Sequence, residues 1–200
     1  KIRGIGIGRM RYGANVVIDP GRLESFALIQ MPISGLETVE HGAHTVRSNN
    51  RVASVLSPTL PLRMQHDSGT EKLFVRIDRE VLERHCRQHM GRDMRQPVEF
   101  TPKMSLDEPC CASWLRLMKW LYDEFGQDCP LADEIQDSPL FAAQIEQMVI
   151  ATLLLTQPHN YSERLADDTP SIAPYFVKRA ESFIEENAHE PLTIGEIVEH

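Results

Sequence analysis

The 200-residue sequence lacks any long apolar run. Its longest, Met148 to Leu155, is interrupted by Thr152 and falls far short of the ~20 residues that span a bilayer. The chain is expected to have no membrane partner and a cytoplasmic setting. Basic charge is scarce: 21 Lys and Arg stand against 29 Asp and Glu, a formal net charge of −8. A chain that held phosphates through its own surface would be basic, so a self-contained nucleic-acid reader is excluded. Cys86, Cys110, Cys111 and Cys129 include no Cys-x-x-Cys pair, which excludes the common zinc spacings. In a chain with apolar content enough for a core, reduced thiols are expected rather than a disulfide framework.

Catalytic signatures are equally missing. There is no Gly-x-Ser-x-Gly, and Cys110-Cys111 has no histidine close in sequence to activate it. Gly4 and Gly6 open a Gly-x-Gly, but Arg9 stands where a dinucleotide fingerprint needs glycine, and the stretch lies in strand pattern. Histidines are present without a ligating arrangement. His41 and His44 follow Glu40 in a turn-like stretch, and no His-x-His occurs. His85 and His89 are four apart on a helix, but no glutamate follows His85 as the zinc-protease pattern requires. The expectation is no catalytic residue, no metal and no cofactor.

What is present divides into strands, then helices. Between residues 2 and 77, short alternating or apolar runs are punctuated by Gly13, Asp19-Pro20-Gly21, Pro32, Gly35, Ser57-Pro58, Pro61 and Asp67-Ser68-Gly69. Seven or eight such strands predict an all-β barrel or sandwich. Leu73, Val75 and Ile77 share one face of the last. Helical spacing follows in Val81, Leu82, His85, Cys86 and His89, with Asp78 as cap and Gly91 as stop. Pro97 to Phe100 offers one more strand. Ser105 and Glu108 form a capping box ahead of an apolar face running from Trp114 to Phe125. A third helix spans roughly Pro139 to Thr156. Residues 158–173 are polar, carry two prolines and lack periodicity, which predicts a linker.

The last stretch, 174–200, predicts two helices. Phe176, Ala180, Phe183, Ile184 and Asn187 line one face, Pro191 breaks the run, and Thr193 with Glu196 caps a second helix start. This stretch, with FIEENAHEPLT at 183–193, resembles the opening of the DNA-binding domain of AraC/XylS-family bacterial regulators. The phrases RMRYG (9–13), VVIDPG (16–21), FALIQMPISG (26–35), VLSP (55–58) and LFVRIDREVLERHC (73–86) resemble the effector-binding half of that family's benzoate and alkylbenzoate branch. Together they cover most of the chain. The resemblance implies an α+β architecture: a cupin-like β-barrel over about 2–77, helices over about 78–157, a linker at 158–173, and a truncated helix-turn-helix start at 174–200. It implies a ligand-responsive DNA-binding transcription regulator whose recognition helix lies beyond His200, so that no residue of this chain reads DNA. The alternative is a cupin-type metal-binding protein or enzyme with a helical appendage.

The resemblance also implies a small-molecule effector of the aromatic-carboxylate kind, for which a strand arginine is the natural partner. Arg9, Arg11, Arg63, Arg47 and Arg76 lie on strands, and Tyr12, Phe26, His66 and Phe74 are candidate lining residues. Their facing is open, because a register slip of one residue reverses every assignment. The family's helix pair commonly makes a dimer contact. Trp114, Leu117, Leu121, Ile145, Met148 and Thr152 are the candidates here, and core packing is the competing role for the same faces.

Overall fold

The computed structural model describes residues 2–90, 94–125 and 138–167, with Ile184 besides. The helices expected over 174–200, and Gly91 and Cys129, otherwise lie outside the described residues. Among the described residues nine strands form two antiparallel sheets. The larger has the order β1 (Ile5–Arg11), β8 (Glu71–Asp78), β3 (Phe26–Ser34), β6 (Val52–Leu56) and β9 (Lys103–Ser105). The smaller has the order β2 (Val16–Gly21), β7 (Leu62–His66), β4 (Glu37–His41) and β5 (His44–Ser48). Among the described residues β1 pairs only with β8 and β2 only with β7, so no ladder joins the first two strands.

Alternation assigns each strand residue to a layer. On the larger sheet Ile5, Ala27, Ile29, Val55, Leu73, Val75 and Ile77 are buried in one cluster with residues of the helices. Leu28 and Leu56, on the opposite face, pack with Val39, Leu62 and Met64 of the smaller sheet in a second cluster, the barrel interior. Pro32 lies in β3 at a register shift between Pro32 and Ser34, where a missing donor is tolerated.

The helices cover the larger sheet's other face. They are α1 (Arg79–Met90), α2 (Pro109–Glu124), α3 (Pro139–Thr156) and α4 (Ser162–Asp167). Leu82 and Cys86 of α1, Trp114, Met118 and Leu121 of α2, and Ile145, Val149, Ile150 and Leu153 of α3 are buried there. Glu146 of α3 is buried among them and is satisfied. It accepts from the Gly4 backbone N–H at 3.1 Å and from Arg84 at 3.1 Å, tying α3 to the start of β1 and to α1. Taken whole, α3 averages a hydropathy of 1.4 over 18 residues, long and apolar enough to cross a membrane, because apolar side chains occur on both its sides.

Local expectations are corrected at four places. β5 and β9 are strands where the alternation predicts none. Pro97–Phe100 forms only an isolated bridge, Phe100 to His159. α2 starts at Pro109, with Glu108 as its N-cap and no side-chain cap bond, so Ser105 is spent on β9 rather than on a capping box. Residues 158–165, read as linker, are built into the fold. The Tyr161 hydroxyl donates to Gln96 O at 2.7 Å, and His159 and Tyr161 are buried.

Gly35 shows how tightly the β3–β4 corner is closed. Its φ is +79°, and an added Cβ would lie 2.6 Å from the Thr70 backbone. Gly35→Ala is expected to cost more than the ~1 kcal/mol of an ordinary Gly–Ala difference, read as a lower urea midpoint at unchanged slope.

Candidate functional site

At the end of the barrel closed by the 12–15, 34–36 and 67–70 turns, the interior is polar rather than apolar. The ladders set Ser48, Glu37 and His66 side by side on the smaller sheet. Gln30 pairs with Ser54 across β3 and β6, and Lys72 lies on the neighbouring strand. All six are buried. The Lys72 ammonium donates to Glu37 Oε2 at 3.1 Å and to Gln30 Oε1. His66 Nδ1 lies 3.1 Å from the same Glu37 oxygen, and the Ser54 hydroxyl donates to Glu37 Oε1 at 3.3 Å. Gln30 Nε2 is 3.2 Å from Met64 Sδ. Tyr12 closes the group: its ring stacks on His66 at 4.3 Å and 6°, with Lys72 Nζ 5.2 Å from its centroid. His66 Nε2 and Ser48 Oγ have no partner among the described residues.

Burial pushes the Glu37 carboxyl up, but the His66 contact and the Lys72 charge together outweigh it and hold the group below its ordinary value. Burial pulls the Lys72 ammonium down, and Glu37 only partly restores it. The Tyr12 phenol is raised, by burial first and then by Glu37. Taking two charges out of water costs several kcal/mol per ion, so such a pair is a poor device for stability alone. It is a good device for presenting a cation and fixed donors in a dry place.

The expected site residues divide by strand face. Tyr12 and His66 meet in this group. Phe74 also faces inward, its ring lying over Gly8, where an added Cβ would be 2.5 Å away. Phe26 faces inward at the opposite mouth, with the Arg76 guanidinium 4.5 Å above its ring. Arg9, Arg11 and Arg63 point away from the interior, which corrects their assignment. Arg9 shares its face with Leu73 and pairs with Glu71 at 2.6 Å, Arg11 is exposed, and Arg63 is exposed between the buried Leu62 and Met64. Arg47 is outward for the same reason, between buried Val46 and Ser48.

Arg76 does face the interior, 3.1 Å from Asp78, but it belongs to a cleft of about 540 Å³ at the mouth. There Glu24, Asp78, Glu80 and Glu83 stand against Arg76 and Arg79, so the cleft repels an acid. Lys72, the buried interior Lys or Arg among the described residues, was not among the expected residues, nor was Glu37. Their signal was legible in part: with Leu73, Val75 and Ile77 on one face, Lys72 must lie on the other.

The dimer candidates divide likewise. Trp114, Leu121 and Ile145 are buried in the core and are unavailable to a partner, a correction. Leu117 and Thr152 are half-buried, and Met148 is exposed. The Cys86 and Cys111 thiols are each pushed up to about 11, chiefly by burial, the reverse of an activated nucleophile.

Residues 1–154 match the AraC-binding-like domain family. The chain belongs to that family. A relative named as a probable thc operon regulatory protein, from Rhodococcus erythropolis, is 26% identical over 196 residues, covering 96% of this chain and 58% of the relative. The chain thus spans little more than half of that protein's length. The crystal structure of the AraC-like transcriptional activator CuxR superposes with a TM-score of 0.53 at 13% identity, covering 98% of this chain and 65% of that one. At that identity the likeness is one of fold.

Proposed function

We propose that this AraC-binding-like chain is the sensing and dimerising part of a ligand-responsive, sequence-specific DNA-binding transcription regulator. Residues 1–157 are its effector and dimerisation domain, and 174–200 open the helix-turn-helix part that contacts DNA. It works in the cytoplasm and has no enzymatic step. The effector is an aromatic carboxylate. The observation that carries this reading is the Lys72 ammonium, buried within the barrel beside the Tyr12 ring and the His66 imidazole. An acid head group seated there gains a charge-assisted bond in a medium of low dielectric. The inward-facing Phe74, Leu28 and Ile18 supply the apolar remainder. A ligand held between both sheets can favour one arrangement of the whole domain only through unequal affinity for the two.

The test is a thermal-shift series of benzoate-like acids, each beside its own primary amide and methyl ester. At a hundred times its dissociation constant an acid adds about 2.7 kcal/mol to stability, a clear rise in Tm. The acids are expected to shift the transition and the uncharged analogues not to. Equal shifts from acid and ester would remove Lys72 from the head-group role. A series without any shift would leave the barrel as a dimerisation scaffold.

A further inference from the structure

The first turn of α2 holds a group that the regulator reading does not use. Pro109 opens the helix, followed by Cys110 and Cys111, with Glu108 at the N-cap. Consecutive helical residues point about 100° apart, so neighbouring side chains normally diverge. Here they converge: Cys110 Sγ and Cys111 Sγ are 3.9 Å apart. An oxygen of the Glu108 carboxylate joins them, all three ligand atoms lying within 4.8 Å of one another. That carboxylate makes no capping bond to the helix, although it sits at the N-cap where such a bond is ordinarily made. Cys110 and Glu108 are exposed while Cys111 is buried, its Sγ 3.9 Å from the Thr156 carbonyl at the end of α3.

Two thiolates on a tetrahedral ion with metal–sulfur bonds of about 2.3 Å lie about 3.8 Å apart, close to the separation seen here. We propose that Glu108, Cys110 and Cys111 form a binding site for a thiophilic divalent d10 cation of the zinc and cadmium class. Two sulfurs and one carboxylate oxygen supply three ligands, and the exposed side leaves the fourth position to water. Soft donors exclude magnesium and calcium, which take oxygen ligands. The ion would fix the first turn of α2 beside the last turn of α3, the two helices that pack on the barrel.

The test is titration of the reduced chain with Cd²⁺, following the ultraviolet sulfur-to-metal charge-transfer band, with Zn²⁺ as competitor. One ion per chain is expected. Cys110→Ser, at an exposed position, should abolish the band while leaving the fold intact by circular dichroism. Glu108→Gln should weaken binding at least tenfold. Full binding by Cys110→Ser, or a band unaffected by both substitutions, overturns the proposal. Because Cys110 is exposed, the outcome does not depend on whether Cys111→Ser folds. A Mg²⁺ titration that displaces Cd²⁺ equally well would also overturn it.

Discussion

Lys72→Met is expected to destabilise the chain by about 3–5 kcal/mol, the usual penalty for removing one partner of a buried ion pair. The side chains of Lys72 and Glu37 are 3% and 0% exposed, so the carboxylate left behind has no water to turn to. It would keep the Ser54 hydroxyl and the His66 contact but lose the ammonium that balances it. For a chain of this length the loss corresponds to a fall in Tm of roughly 10 °C. The companion is Lys72→Met with Glu37→Gln, which removes both charges. Replacing a buried pair by uncharged groups is often neutral, so the double variant should recover most of the loss. A double variant as unstable as the single would show that packing, not charge, dominates at this site.

The same pair fixes the sign of a pH effect. Glu37 has a folded pKa below its ordinary value, so it contributes stability that is present above the unfolded pKa and is lost as pH falls through the folded one. Removing Lys72 takes away part of what held the pKa down, and burial, the largest influence, then pushes it up. A neutral Glu37 is no longer an unpaired buried charge. The gap between wild type and Lys72→Met should therefore narrow from pH 7 to pH 5, measured by urea melts at both. A gap of constant size would show that Glu37 stays in one protonation state in both proteins.

These residues also show what could be read beforehand. The order of strands and then helices follows from periodicity and turn chemistry, and the family follows from short phrases spread along it. The interior does not. Leu73, Val75 and Ile77 form an obvious apolar face, but a barrel strand is covered on both sides, and periodicity alone does not say which layer that face meets. It faces the helices, and the barrel receives the alternate set, Lys72, Phe74 and Arg76. One face of a strand is easily recognised, but which layer covers it is a tertiary fact. The expected arginines failed for this reason: Arg9 and Arg11 share the helix-side register of β1, and Arg63 alternates out of β7. β5 escaped notice because only Val46 and Ser48 of its five residues are buried, which leaves too weak an alternation to count. Ser105 and Glu108 match a capping pattern that the chain does not use, since Pro109 supplies a better first helical position.

Trp114→Ala is expected to cost about 3–5 kcal/mol, the range for deleting a large aromatic from a packed core. Trp114 is 2% exposed, and its indole N–H donates to Val149 O across the α2–α3 interface at 3.4 Å. Its loss should lower the urea midpoint of the monomer without any dependence on a partner. Leu155→Glu tests the opposite face. Leu155 is 81% exposed, and with Phe141 and Met148 it recurs every seven residues along the outside of α3. Positions seven apart keep nearly the same direction on a helix, so the three make a stripe. Phe125 links Phe141 to the exposed Trp120 of α2, with ring centroids 6.1 and 6.3 Å apart, so the stripe continues onto the second helix. An acidic group there changes monomer stability by no more than about 0.5 kcal/mol, since it touches little within the chain. In a dimer formed through the stripe it is forced into an apolar contact, and sedimentation should show the variant as monomer where the parent is dimer. Trp114→Ala, measured below its unfolding transition, should leave that association intact. If instead Leu155→Glu stays dimeric, the outer stripe is not the contact, and association uses another surface, the half-buried Leu117 of α2 included.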